Sequence, residues 1–146
     1  MGMQPTRGCR GFPWTTVVPA RRRYTVLPVD PARAPLSALD AFELLVAEAV
    51  EDIPEPFSSA LDDVALIVDS HAEGRSLYGL YEGHPITTGT MPSGAFPPRI
   101  TIYMHPMVDH FRDPAVLRHQ VRVTVLHELG HHMGLDEDRL DELGYA

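Results

Sequence analysis

Lysine is missing from the 146 residues, so all twelve basic side chains are arginine. We read that as a coding bias and not as chemistry. Cysteine is nearly missing too. A single Cys9 excludes an internal disulfide framework, and its setting among Pro, Gly and Arg gives no sign of a nucleophile. No stretch is long and apolar enough to span a membrane. The best candidate for a secretory signal, Phe12 to Ala20, is interrupted by Pro13 and Pro19. An excess of positive charge is also lacking: the net charge of −8 argues against nucleic acid as the main partner. These absences leave the cytoplasm as the expected location, with no membrane and no nucleic acid among the partners. Nothing in the sequence specifies an oligomeric state.

What is present suits one soluble domain. The apolar fraction is 44%, and the length is enough to bury a core. Charge is unevenly placed, since the first 33 residues carry six arginines and one acid, and the remainder six arginines and nineteen acids. Residues 1–34 are rich in Arg, Pro and Gly without a period and read as a flexible tail, with Arg21-Arg22-Arg23 solvated. Residues 35–146 read as the folded domain.

Within it, Ser37 and Asp40 form a capping-box pair ahead of Leu39, Phe42, Leu45, Val46, Ala49 and Val50, which recur at helical spacing. Phe57 to Leu61 reads as a short helical turn. Val64 to Val68 is a continuous apolar run of the kind found in buried strands. A second strand is expected at Leu77 to Tyr81. Thr87 to Pro98, broken by glycines and prolines, reads as a long loop and a candidate substrate flap. Arg99 to His105 alternates, with Ile100, Ile102 and Met104 on one face, and reads as a strand with one buried side. Asp113-Pro114 marks a helix start as N-cap and N1. Val121 to Val125 alternates like a strand, but the motif that follows has metal geometry only on a helix.

That motif is His127-Glu128-Leu129-Gly130-His131, the pattern H-E-x-x-H. Residues i and i+4 lie one turn apart on the same helix face, so His127 and His131 can aim their imidazoles at one ion. Glu128 lies about a quarter turn away, beside the ion, where it can take a proton from water. Gly134 is expected to end the helix, which puts both histidines in its last turns, at the end of the dipole that favours a cation. Carboxylates follow at once. Leu135 should turn back into the core close beneath the ion, and Glu137, two residues on in a locally extended segment, lies on the same side and reaches the metal, whereas its neighbours point the opposite way. Asp136 is the competing third ligand. His132 points off the metal face. His71, His84 and His119 read as surface residues. His105, His110, Tyr103 and Tyr145 are each candidates to stabilise an oxyanion.

The run HELGHHMGLDEDRLDELGYA resembles the end of the small zincin-like metallopeptidase family of bacteria. The helix-rich Leu36 to Leu61, Val64 to Val68, Gly79 to Gly83 and Arg99 to Tyr103 also fit that family. The resemblance implies a compact α+β zincin-like domain: a small mixed sheet, an N-terminal helix and a C-terminal active-site helix bearing HExxHxxGxxD. His127, His131 and Gly134 match the pattern, whereas Glu137 stands at the place of its aspartate. The resemblance also makes Arg99 to His105 the candidate cleft-lining strand. No methionine follows Met133, so the Met-turn of metzincins is not expected.

The function expected is a zinc metallopeptidase acting on a peptide or protein, with Zn2+ held by His127, His131 and Glu137. Three protein ligands leave a fourth position for water, and Glu128 serves as general base. The alternative is a non-catalytic, metal-stabilised protein of the same fold that binds peptides or acts as a scaffold.

Overall fold

The computed structural model describes residues 16–18, 37–89, 94 and 96–146. Strand β1 (Thr16–Val18) comes first, from within the stretch expected as a tail. Thr16, Val17 and Val18 are all β-branched, the residue type that favours extended backbone. Their pairing with a strand some fifty residues later is invisible to local pattern. Three residues of the stretch expected as a flexible tail, 1–34, thus take part in the sheet. Cys9 and the arginine triplet lie outside the described residues.

Helix α1 (Ala38–Val50) opens on the expected capping box: Ser37 Oγ accepts from Asp40 N–H, and Asp40 accepts from Ser37 N–H. Helix α2 (Phe57–Leu61) buries Phe57 and Leu61. Strands β2 (Ala65–Asp69), β3 (Gly79–Glu82) and β4 (Arg99–Tyr103) complete a four-stranded sheet in the order β1-β2-β4-β3. β2 and β4 are parallel, while β1 and β3 pair antiparallel with their neighbours. Helix α3 (Met104–His110) follows β4 without a break, α4 (Pro114–His132) carries the H-E-x-x-H residues, and α5 (Glu137–Glu142) comes last. The architecture is α+β.

One sheet face carries Leu66, Val68, Ile100 and Ile102, all fully buried. α1 lies on it over β2, and α4 over β4 and β3. From α1 and α4, the fully buried Val46, Val121, Val125 and Leu129 close this layer. Arg118 and Arg122 of α4 tie the two helices together by donating to the carbonyls of Glu48 and Asp52. Cations there also suit the negative end of the α1 dipole.

β4 departs from its expected form. It stops at Tyr103, and both its faces are buried from Ile100 onward. Met104 and His105 already belong to α3. β4 is also central, hydrogen-bonded to β2 on one side and β3 on the other, so it cannot line a cleft with a free edge. Of the two edge strands among the described residues, β1 and β3, it is β3 that lies against α4.

Candidate metal centre

α4 is capped by Asp113, whose carboxylate accepts from Ala115 and Val116 N–H, with Pro114 at N1. It ends where expected. Gly134 has φ +79°, its N–H donates to His131 O, and Leu135 N–H donates to Gly130 O at 2.9 Å. This pair of bonds is the Schellman closure, which needs a left-handed residue and so favours glycine. The chain then doubles back along the last turn of α4 and enters α5.

The reversal brings Glu137 to the two histidines. The facing nitrogens, His127 Nε2 and His131 Nε2, are 3.0 Å apart. Glu137 Oε1 is 3.3 Å from His131 Nε2, and Oε2 is 3.8 Å from His127 Nε2. A tetrahedral zinc with ligand bonds of about 2.0–2.2 Å requires ligand–ligand edges of about 3.3–3.6 Å. The three observed edges bracket that value, so the donor set fits a zinc-sized ion in both chemistry and spacing. Asp136, the competing carboxylate, is occupied otherwise: it is the N-cap of α5 and accepts from Arg139 N–H at 2.9 Å.

His127 Nδ1 lies 2.8 Å from Tyr145 O. A carbonyl only accepts, so Nδ1 carries the proton and Nε2 presents its lone pair to the cluster. Glu128 points to the other side, towards β3. Tyr81 N–H donates to its Oε2 at 2.9 Å. Burial raises the Glu128 pKa above the usual carboxylate value, against the opposing pull of His127, His131 and the Tyr81 N–H.

β3 comes this close because its first residue is glycine; a Cβ on Gly79 would sit 2.7 Å from Thr124 Cγ2. Its hydrogen-bond register matters for the site. Tyr103 N–H donates to Tyr78 O, and bonded and non-bonded pairs alternate along an antiparallel ladder. The N–H and C=O groups of Gly79 and Tyr81 therefore face away from β4. The bond from Tyr81 to Glu128 shows the same direction directly.

His132 is more involved than a bystander. It is 2% exposed, and its Nδ1 lies 2.9 Å from Tyr81 Oη. Tyr81 Oη also donates to His84 O. Burial lowers the His132 pKa. The residue thus ties β3 to α4, a role that needs a partner fifty-one positions away and leaves no local signal.

The remaining expectations divide. His71, His84 and His119 are exposed, as expected. His105 packs its ring beside His71, and His110 Nδ1 meets Tyr78 Oη. Tyr103 is buried, which raises its pKa. Tyr145 sets its ring edge-on to Phe57, 5.4 Å between centroids. Of the expected loop, Ile86–Thr88 forms a 3-10 turn, and Thr87 lies against Gly134. Residues 90–93 and 95 lie outside the described residues, and Phe96 is exposed. Among the described residues, no helix is long and apolar enough to cross a membrane.

A small mixed sheet, a helix bearing H-E-x-x-H and a carboxylate returned to its two histidines by a glycine turn define a zincin-like domain. The model of the zincin-like metallopeptidase family matches residues 46–145, and the chain belongs to that family. No curated protein matches it.

Proposed function

We propose that this protein is a zinc-dependent peptidase in which His127, His131 and Glu137 hold the ion and Glu128 is the general base. The observation that carries the reading is the position of Glu128. Its carboxylate is desolvated beside the cluster and hydrogen-bonded to the outward N–H of an edge strand. A metal held only for stability has no use for such a group.

Zinc in this site would supply Lewis acidity, lowering the pKa of water and polarising a carbonyl. Glu128 takes the proton of the attacking water and passes it to the leaving amine. The Tyr81 N–H holds Oε2, which leaves Oε1 for that exchange. The Tyr145 carbonyl holds His127 in the tautomer that exposes Nε2. An extended peptide would align on the outward N–H and C=O of Gly79 and on the outward C=O of Tyr81, whose N–H is taken by Glu128, in the manner of strand addition. The net charge of −8 fits a peptide partner better than a nucleic acid.

A peptide-library cleavage assay with added zinc, wild type against Glu128→Gln, tests the proposal. Loss of a general base should cost about 10²–10⁴-fold in rate while zinc affinity is kept. A wild type that binds zinc and peptide yet cleaves nothing would replace the enzyme with a peptide-binding protein.

A further inference from the structure

Tyr145 was a candidate for oxyanion stabilisation on its hydroxyl; the structure points instead to its backbone. We propose that Tyr145 is a positioning residue for His127, and that the contact of its ring with Phe57 keeps it in place. The inference rests on the metal-centre reading above.

Three observations converge. First, the carbonyl of Tyr145 accepts from His127 Nδ1–H at 2.8 Å, which fixes both the tautomer and the plane of the ring. The nitrogen thereby left bare is Nε2, the atom that faces His131 and Glu137.

Second, the backbone that carries this carbonyl is itself fixed. α5 closes as α4 does: Gly144 has φ +77° and donates to Asp141 O, and Tyr145 N–H donates to Leu140 O at 2.9 Å. Leu140 is fully buried. The Tyr145 amide is therefore anchored on the helix whose first residue is Glu137.

Third, the ring of Tyr145 meets the buried Phe57 at an interplanar angle of 86°, an edge-to-face contact. α2, far from the H-E-x-x-H segment in sequence, thus helps to orient the first histidine of the cluster.

Zinc affinity should follow these supports. Outer partners of metal-binding histidines typically govern affinity by about 10–100-fold. Zinc dissociation constants, measured by chelator competition for wild type, Tyr145→Phe and Tyr145→Gly, provide the first test. Tyr145→Phe keeps the ring and should bind zinc within about twofold of wild type, whereas Tyr145→Gly should bind about 10–100-fold more weakly. Equal affinities in all three would overturn the inference.

The second test needs no metal. The nitrogen-15 spectrum of the metal-free wild type should show His127 protonated at Nδ1, and protonation at Nε2 would overturn the inference. Should Tyr145→Gly lose its cooperative melt, this spectrum decides alone. A wild type that binds no zinc would refute the metal-centre reading, and the tautomer would still test the hydrogen bond proposed here.

Discussion

Asp136 and Glu137 are adjacent carboxylates whose removal should have opposite signatures. Asp136 caps α5 through Arg139 N–H. Asp136→Ala should therefore lower folding stability by about 0.5–2 kcal/mol. It should weaken zinc binding less than tenfold, roughly, because the carboxylate that faces the histidines remains. Glu137 has a side chain 68% exposed, and its acidic contacts are with His127 and His131. Glu137→Ala should change the metal-free melt by no more than about 0.5 kcal/mol. Zinc affinity, by contrast, should fall by more than about 100-fold, the upper range for outer partners, if Glu137 is the direct ligand proposed above. A 100-fold loss is about 2.7 kcal/mol, and the same amount of zinc-induced stabilisation should vanish when zinc is well above the dissociation constants of both wild type and variant. Chelator competition and paired melts, one with chelator and one with zinc, measure both quantities on the same samples. The reasoning fails if Asp136→Ala loses zinc and Glu137→Ala keeps it.

Two further outcomes follow from packing and charge. A Cβ on Gly130 would press into Leu140, which is fully buried on α5. Overpacking costs about 1–3 kcal/mol and the gain in helix propensity returns about 1, so Gly130→Ala should be neutral to about 2 kcal/mol destabilising. Since Leu140 shares α5 with Glu137, its zinc affinity should drop as well; an unchanged affinity by competition would show that this contact does not place α5. The Glu82 carboxyl is held below its usual value, first by the hydrogen bond from Arg99. A depressed folded pKa gives stability that is present above the unfolded value and lost as pH falls through the folded one. Urea melts from pH 7 down to about 3 should therefore show a shallower acid-side decline for Arg99→Ala than for wild type, and identical slopes would contradict it.

What could be read from the chain was what depends on near neighbours. Ser37 with Asp40, Asp113 with Pro114, and Gly134 after the second histidine each act within a few residues, and each stands where the pattern put it. The approach of Glu137 to the histidines is of the same kind, because a helix end, a glycine turn and a new cap determine it. β1 was not legible, since three β-branched residues make a strand only when β2 is there to pair with them. The alternation from Ile100 to Met104 misled for a related reason. A central strand is buried on both faces, so its alternation carries no information about where it stops, and α3 begins inside it. Tyr81, His132 and Phe57 act across separations that no window covers.

The four residues of β3 have a consequence for the state of any substrate under the proposed reading. A strand that long spans about 13 Å, enough to register a short extended segment and no more. In a folded protein over nine-tenths of buried backbone groups are already paired, so a segment inside a helix or sheet has none to offer such an edge. Loops, chain ends and unfolded polypeptide do. Selection would then operate on conformation before it operated on side chains, and a folded protein would become a substrate only where, and for as long as, it locally opened.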